Sequence, residues 1–454
     1  MNDTLNQRLV KICPDKSQLE WQQTEFYAFV HFTVNTFTDK EWGDGTERPE
    51  IFNPVKLDAR QWCKAIKSTG MKGLILTCKH HDGFCLWPSR FTNHTVAASP
   101  YKEGKGDIVR EVSEACSEFG LKFGVYLSPW DRNSQLYGQG KPYDDFFVNQ
   151  LTELLSNYGK VFSVWFDGAC GEGPNGKKQV YDFERYYKVI RDLQPDACIS
   201  VCGPDVRWCG NEAGHCRKSE WSVVPARTKD TEIIKERSQH EDSDEFRQRK
   251  ISASDEDLGS RAILENENDL IWYPAEVNTS IRPGWFYHEY EDDKVRSLEE
   301  LTNIYFNSVG GNATFLLNIP PTREGLFHKN DVARLQELGD FLRNEFANPI
   351  KELDEKEIKV NTTSQADNFS IRIDLPLSKI KYIIIQEDIE KSQRVESFEV
   401  LAKNSSSKYE TLFSGTTIGY KKIIRFEKPL TTDSFIIKIT SCRCELELKK
   451  IVIY

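Results

Sequence analysis

The chain has 454 residues, enough for two or three domains, and its 39% hydrophobic residues can supply a large core. Its formal net charge of -10 argues against non-specific binding to nucleic acid, and it lacks the run of about 18 apolar residues that a membrane span needs. Aromatic residues make up 12% of the chain, and their flat apolar faces can stack on sugar rings.

From residue 26 to about residue 346, apolar strand-like runs alternate with amphipathic helical patterns. Strands are predicted at residues 26–34, 73–78, 121–127, 161–166, 197–201, 269–273 and 313–319. Helices are predicted at residues 58–69, 107–119, 143–158, 181–193, 297–309 and 329–346. This rhythm predicts an α/β fold of the (β/α)8, or TIM-like, type. The barrel should be partly irregular, because residues 206–267 break the rhythm. This segment is highly charged at residues 227–257, and we expect it to form long loops and short helices on the mouth or rim of the barrel.

The periodicity changes after about residue 350, where short alternating runs separated by turn residues indicate β-strands. We therefore expect two domains: a catalytic barrel at residues 1–347 and an all-β sandwich at residues 348–454. We expect the two domains to pack together, because no long low-complexity linker separates them.

The twelve cysteines show no paired metal-binding spacing, and several lie in apolar runs, which favours reduced thiols over a disulfide framework. The N-terminal residues lack the basic and apolar regions of a signal peptide. We expect either a cytoplasmic protein or one whose signal peptide has been removed.

The most informative stretch is Trp165-Phe166-Asp167-Gly168, which ends a buried strand. A carboxylate at the carboxyl end of a barrel strand lies where such barrels carry out chemistry. Flanking aromatic rings can bracket a sugar while Asp167 attacks its anomeric carbon. The simpler alternative is an aspartate that caps a helix or closes a turn.

Two adjacent imidazoles, His80 and His81, follow the second strand, and Asp82 comes next. They can bind sugar hydroxyls or a metal ion. Because adjacent side chains point to opposite sides of a strand, we favour sugar hydroxyls over a shared metal. His31 lies in the first strand, either as a satisfied core residue or as a further ligand-binding residue.

Further aromatic and charged residues lie near predicted strand ends or in loops. Their simpler interpretation is ordinary surface or core packing, but each can contact a substrate. Glu41 with Trp42 combines a hydroxyl acceptor with a stacking face, and Trp285 can form an apolar wall beside which Arg282 supplies charge. The third strand contributes Tyr126 and Trp130 at its end.

Three glutamates are candidates for a general acid/base. Glu212 is flanked by small residues, which allow close approach of a substrate, and Glu220 and Glu276 are its rivals. Each could instead pair with an arginine.

Taken together and in order, these motifs resemble glycoside hydrolase family 29, the retaining α-L-fucosidases. The resemblance extends over nearly the whole predicted barrel. The motifs near residues 210–214 and 280–288 look like the branch selective for α-1,3 and α-1,4 linkages on Lewis-type glycans. The C-terminal part looks like a discoidin-type carbohydrate-binding sandwich.

This resemblance implies Asp167 as the nucleophile and Glu212 as the acid/base, with Glu276 in reserve. It places His31, Glu41, Trp42, His80, His81 and Trp285 around the fucose, with no metal or cofactor. A retaining mechanism needs the two carboxyl groups about 5–5.5 Å apart. The implied substrate is a fucosylated oligosaccharide or glycoconjugate, which favours the periplasm or secretion.

Two alternatives belong to other classes. One is a non-catalytic carbohydrate-binding protein on a degenerate barrel. The other is a metal-dependent hydrolase that uses His80, His81 and Asp82.

Overall fold

The computed structural model describes residues 3–249, 257–362, 369–403 and 408–454. Its N-terminal part is built on one sheet of eight parallel strands, and their order around the sheet is β5-β4-β3-β2-β1-β10-β9-β6. These strands are β1 Phe26–Val30, β2 Gly73–Lys79, β3 Lys122–Leu127, β4 Ser163–Phe166, β5 Cys198–Val201, β6 Arg207–Trp208, β9 Ala275–Ser280 and β10 Ala313–Asn318. A bridge between Ser200 of β5 and Val206, next to β6, brings the two edges of the sheet together.

Helices connect the strands and surround the sheet, as the (β/α)8 prediction requires. The longer ones are Ala59–Thr69, Ile108–Phe119, Lys141–Asn157, Phe183–Leu193, Leu298–Ser308 and Lys329–Glu345. The shorter ones are Asp3–Leu9, Lys16–Gln22, Val34–Thr38, Thr231–Arg237, Asp244–Arg247 and Arg261–Leu264. The predicted fold class is confirmed. No helix among the described residues is both long and apolar enough to cross a bilayer.

The predicted helix boundaries follow local capping chemistry. Asp58 and Asp107 each accept a backbone N–H of the following first turn, at 2.9 Å from Arg60 and 3.0 Å from Arg110. Gly70 ends the first of these helices at a φ of +91°, a conformation that glycine adopts without a steric penalty.

The barrel departs from the prediction between β5 and β10. The run predicted at residues 269–273 lies outside the barrel: β8 Leu270–Trp272 pairs with β7 Val223–Pro225 in a small antiparallel sheet. The barrel position is taken by β9, in which the polar residues Glu276 and Asn278 alternate with Ala275 and Val277. Polar side chains at alternate positions made this buried strand resemble a loop.

The C-terminal part is one antiparallel sheet of seven strands with its own apolar core. The strands are β11 Lys351–Asp354, β12 Asn361–Thr362, β13 Phe369–Glu387, β14 Val395–Lys403, β15 Tyr409–Gly415, β16 Lys422–Cys442 and β17 Leu448–Ile453. Two pairs of separately predicted strands are joined, forming β13 and β16. Within β13, Leu377 is exposed to solvent. Ile373 and Ile383, on either side of it along the strand, both pack into the core of the C-terminal part. Register shifts in the pairing of β13 with β16 let the strand bend and build both layers of the sandwich.

Polar contacts join the barrel to the sandwich. Glu25, just before β1, accepts hydrogen bonds from Tyr420 at 2.9 Å and from Lys421 at 2.5 Å. The buried guanidinium of Arg443 donates to the backbone oxygen of Gly259 at 2.8 Å and lies over the ring of Trp221. The sandwich therefore braces the part of the barrel that carries the irregular loops.

Candidate active site

A cavity opens at the carboxyl ends of the barrel strands. Because parallel strands all end at this face, residues far apart in the sequence converge here. The cavity is lined by Phe29, His31, Trp42, His80, His81, Trp165, Asp167, Gly168, Ala169, Val201, Trp208, Glu212, Ser238, Gln239, Asn278 and Trp285.

Asp167 lies directly after β4, and its carboxyl group is 22% exposed to this cavity. One oxygen accepts the backbone N–H of Ala169 at 2.8 Å, and the other accepts the hydroxyl of Tyr126 at 2.9 Å. Burial raises the pKa of Asp167, while these hydrogen bonds oppose the rise by stabilising the ionised form. The two bonds also fix the direction in which the carboxylate points.

His81 is oriented by a short chain of hydrogen bonds. Ser128 donates its hydroxyl to the backbone oxygen of Trp130 at 2.6 Å, so it accepts from Nδ1 of His81 at 2.7 Å. Burial lowers the pKa of His81 to about 3, so the ring is neutral and Nε2 carries the lone pair. That Nε2 lies 3.9 Å from the nearer oxygen of Asp167. Two acceptors this close together can share the hydroxyl groups of a ligand.

His31 presents a second neutral imidazole. Asn318 donates its amide to Ser280 and to the backbone of Trp285, so its oxygen accepts from His31 Nδ1 at 2.8 Å. Burial lowers the pKa of His31 to about 4 and leaves Nε2 as an acceptor. The ring of His80 packs against that of His31, with 5.6 Å between their centroids.

The expectation that His80 and His81 point to opposite sides of a strand is wrong. β2 ends at Lys79, so both histidines lie in the following turn, where side chains no longer alternate. Their ring centroids are 4.0 Å apart, and both rings line the cavity.

Glu212 enters the cavity from the loop after β6. Asn211 closes this loop internally by donating to the backbone oxygen of His215 at 2.8 Å, and Ala213 forms a bridge to Thr279 of the neighbouring strand β9. Burial, with a smaller contribution from the charge of Asp167, raises the pKa of Glu212 to about 7. The indole N–H of Trp285 donates to Glu212 at 2.9 Å and opposes that rise.

Glu41 does not line the cavity, but it holds the loop that does. Its carboxylate accepts the backbone N–H groups of Trp285 at 2.8 Å and Phe286 at 3.0 Å, and His288 bonds to it at 2.8 Å. The adjacent Trp42 does line the cavity, and its ring packs edge-on against His81. Glu41 therefore positions Trp285, which in turn bonds to Glu212.

The rival glutamates lie outside the cavity lining. Glu276 is fully buried within the barrel, where it accepts from Trp165 at 2.8 Å and from Tyr27, and burial raises its pKa to about 7. Glu220 forms a buried ion pair with Arg207 at 2.7 Å, as its simpler interpretation anticipated.

Three other predicted residues support the cavity from behind. Tyr126 bonds to Asp167, and Trp130 packs against the ring of His81, 4.9 Å between centroids. Arg282 is buried and paired with Asp331 at 2.9 Å, and it lines a second cavity.

Several residues that line the cavity were not predicted from the sequence. Trp208 and Asn278 lie on the irregular strands β6 and β9, where the indole donates to the amide oxygen at 3.1 Å. Ser238 and Gln239 come from the charged segment that we expected to form loops on the rim. No local motif marks these residues, because their role depends on how distant segments fold over the barrel.

The second cavity adjoins the first at Glu212 and Trp285, which line both. It has a volume of about 330 Å³ and is otherwise lined mainly by polar and charged side chains: Asp244, Arg247, Gln248, Thr279, Ser280, Arg282, Pro283, Lys294, Val295, Arg296 and Glu300. A group attached to a sugar in the first cavity can extend past Glu212 into this space.

The structure does not group His80, His81 and Asp82 as the metal-dependent hydrolase hypothesis expects. Asp82 accepts from Thr33 at 2.9 Å and from the backbone of Phe84 at 2.7 Å, within the protein interior. Instead, His80, His81 and Asp167 offer one ligand atom each within 4.8 Å of one another. This set can hold either a cation or the hydroxyl groups of a sugar.

A parallel barrel whose mouth holds a carboxylate pair among tryptophan and histidine rings is the architecture of a glycoside hydrolase. The sequence model described as "Alpha-L-fucosidase" matches residues 10–345. The chain therefore belongs to the α-L-fucosidase family, glycoside hydrolase family 29, and it is an enzyme of that class.

Individual relatives agree with this assignment. Alpha-L-fucosidase 1 of Arabidopsis thaliana is 37% identical over 95% of this chain and 85% of its own length. A crystal structure from Bacteroides ovatus, described as that of an alpha-L-fucosidase, superimposes with a TM-score of 0.89 and 46% sequence identity. The match covers 99% of this chain and 76% of the other chain. A Ruminococcus gnavus GH29 fucosidase solved in complex with fucose has a TM-score of 0.81 and 30% identity, covering 98% of this chain and 95% of its own.

Proposed function

We propose that this enzyme is a retaining exo-α-L-fucosidase that removes terminal α-1,3- or α-1,4-linked L-fucose from branched, Lewis-type glycans. Asp167 is its nucleophile and Glu212 its general acid/base. The observation that supports these roles best is that both carboxyl groups line one cavity in different surroundings: two hydrogen bonds stabilise the ionised form of Asp167, while burial raises the pKa of Glu212 to about 7. Two carboxyl groups in different surroundings can divide the acid and nucleophile roles.

In the first step, a carboxylate oxygen of Asp167 attacks C1 of the fucose as the bond from C1 to the departing oxygen breaks. Glu212 transfers its proton to that oxygen, so the leaving group departs as a neutral alcohol. The product is a fucosyl ester on Asp167. Tyr126 and the backbone of Ala169 hold the attacking group in position.

In the second step, Glu212 is ionised and accepts a proton from water. The resulting hydroxide bonds to C1, the ester bond breaks, and Asp167 leaves as a carboxylate. While Asp167 is esterified it carries no charge, which removes one of the contributions that raise the pKa of Glu212. The acid of the first step is therefore better suited to act as the base of the second.

The proposed preference for branched glycans is supported by the second cavity. A branched leaving group carries sugars on both sides of the linkage and needs space on the side of the acid. The cavity beyond Glu212 and Trp285 provides about 330 Å³ with abundant hydrogen-bonding side chains.

The direct test is hydrolysis of fucosylated oligosaccharides that differ only in linkage. We expect release of fucose from Lewis-type trisaccharides, much slower release from an α-1,2-linked isomer, and an α-anomer as the first product by NMR. Fastest turnover of the α-1,2 isomer would contradict the proposed linkage preference. A β-anomer as first product would contradict the retaining mechanism.

The pH dependence of kcat/KM should be bell-shaped. Activity requires an ionised Asp167, so it falls as the pH decreases through the raised pKa of that group. Activity also requires a protonated Glu212, so it falls as the pH increases through about 7. Trp285→Phe removes a hydrogen bond that stabilises ionised Glu212. The loss of this bond should raise the pKa of Glu212, so the decline of kcat/KM at high pH should occur about half a pH unit to one pH unit higher in this variant. A hydrogen bond worth about 1 kcal/mol corresponds to a shift of this size.

The control for this variant is Trp208→Phe. It removes an indole in the same cavity whose N–H donates to a neutral amide, that of Asn278. Its alkaline limb should remain where the wild-type limb is. If the alkaline decline of kcat/KM does not shift in Trp285→Phe, or shifts equally in both variants, Glu212 is not the general acid.

Treatment with a chelator separates this mechanism from a metal-dependent one at the His80, His81 and Asp167 cluster. We expect activity on an aryl fucoside to be unchanged within about twofold after dialysis against EDTA, because protonation by Glu212 needs no Lewis acid. Loss of activity that added Zn²⁺ restores would instead support the metal-dependent hydrolase.

A further inference from the structure

A segment between β7 and β8 closes over the turn that carries Asp167. Its helix Thr231–Arg237 is followed by Ser238 and Gln239, both of which line the first cavity. A Cβ atom added to Gly168 would lie 2.0 Å from the Ser238 hydroxyl oxygen. The segment is therefore packed directly on the turn and forms part of the site.

The side chain of Gln239 is buried, and its amide nitrogen makes no hydrogen bond to any residue that the structure describes. Its neighbour Ser238 is satisfied, because its hydroxyl donates to the backbone oxygen of Ile234 at 2.8 Å. Buried amide groups without a partner are rare in folded proteins, since they lose their bonds to water and gain nothing in return. A ligand in the cavity would give the Gln239 amide the acceptor that it lacks.

The cavity otherwise offers a ligand mostly acceptors. His31 and His81 present lone pairs, and Asp167 presents a carboxylate. The indole N–H groups of Trp165, Trp208 and Trp285 already donate to protein side chains. Trp42 and the neutral ring of His80 also carry N–H groups in this lining. Because every sugar hydroxyl can both donate and accept, a sugar with several hydroxyl groups still gains from a further donor.

We propose that Gln239 is a sugar-binding residue whose amide N–H donates to a hydroxyl oxygen of the glycone, the fucose whose C1 reacts. This inference rests on the proposed function. The glycone is favoured over the leaving group because Gln239 lines the cavity of Asp167, whereas the second cavity beyond Glu212 is lined by other residues. Gln239 thus contributes to specificity from a segment that is remote from the catalytic strands in sequence.

The test is the affinity of two variants for L-fucose, measured by the fluorescence of the cavity tryptophans. Gln239→Met keeps the length of the side chain without a donor, and Gln239→Glu keeps its shape without the N–H groups. We expect both to bind L-fucose about tenfold more weakly, the loss of one satisfied hydrogen bond. KM for an aryl fucoside should rise in parallel for Gln239→Met, which adds no charge.

The matched control is Gln393→Glu. Gln393 is another buried glutamine with an unpartnered amide nitrogen, but it lies at the contact between the domains, where its oxygen accepts the backbone N–H of Ser222. This control should bind L-fucose like the wild type. Thermal unfolding of every variant reports whether an effect is only structural.

Analogues of L-fucose that each lack one hydroxyl identify the partner of Gln239. One of them should bind the wild type and Gln239→Met equally, because the proposed bond is absent from both complexes. If the wild type binds L-fucose but both Gln239 variants match it, the inference is overturned and the proposed function stands. If the wild type neither binds nor releases fucose, the proposed function itself fails.

Discussion

Replacement of Asp167 by Gly should reduce kcat for an activated aryl fucoside on the order of 10⁴- to 10⁶-fold, because no group remains to form the ester with C1. Azide, a small anionic nucleophile, can enter the space left by the carboxylate. It should restore part of the activity and produce a fucosyl azide of inverted configuration, since it attacks the face that Asp167 attacked. The product configuration is read by NMR.

The control for this experiment is Asp82→Asn. Asp82 is buried near the same strand ends, and burial raises its pKa to about 7, so a neutral amide resembles its protonated form. Thr33 and the backbone of Phe84 bond to different oxygens of Asp82. The asparagine oxygen can still accept the backbone N–H of Phe84, and its amide N–H can donate to the Thr33 hydroxyl, which can accept as well as donate. Asp82→Asn should keep activity within about tenfold, in line with the net value of one buried hydrogen bond. Activity in Asp167→Gly without azide would assign the nucleophile elsewhere, and its loss in Asp82→Asn would revive the metal alternative.

Replacement of Glu212 by Ala should have the second-largest effect, and that effect should depend on the leaving group. A natural glycan leaves as a strongly basic alkoxide unless it is protonated, so we expect kcat/KM to fall about 10²- to 10⁴-fold. A dinitrophenyl fucoside leaves without protonation and should lose much less. The measurement is the ratio of the two losses.

Glu276→Gln is the matched comparison. Glu276 has the same elevated pKa of about 7, but its carboxyl group is enclosed by Trp165 and Tyr27 beneath the cavity. We expect any loss in this variant to be similar for both substrates, because Glu276 supports the ring of Trp165. If the loss of kcat/KM depends on the leaving group in Glu276→Gln but not in Glu212→Ala, then Glu276 rather than Glu212 is the general acid.

Local patterns predicted the elements that carry most of the site. Asp167 was recognised because an apolar strand ends directly before it and a glycine follows. The adjacent histidines, His80 and His81, were recognised because they directly follow another buried strand, β2. In both cases, the residue that follows a strand of a parallel barrel lies at the barrel mouth, so a sequence pattern alone predicts its place in the fold.

Strand β9 shows where this reasoning failed. Its alternating polar residues, Glu276 and Asn278, point to partners inside the barrel that no local pattern displays. The prediction therefore chose the more apolar run at residues 269–273, which pairs outside the barrel. Ser238 and Gln239 were missed for a related reason, since the composition of their segment is dominated by charged residues while these two side chains face the cavity.

The sequence by itself determined the order of barrel and sandwich, the strand that ends at Asp167 and the family to which the chain belongs. These properties depend on periodicity, capping and motifs, which act between residues close together in the chain. Only the tertiary structure decided that Glu212 rather than Glu276 reaches the cavity, that Glu41 holds Trp285, and that Gln239 lines the same cavity as Asp167. Burial, hydrogen-bond partners and pKa depend on which distant segments meet, and the chain must be folded before they exist.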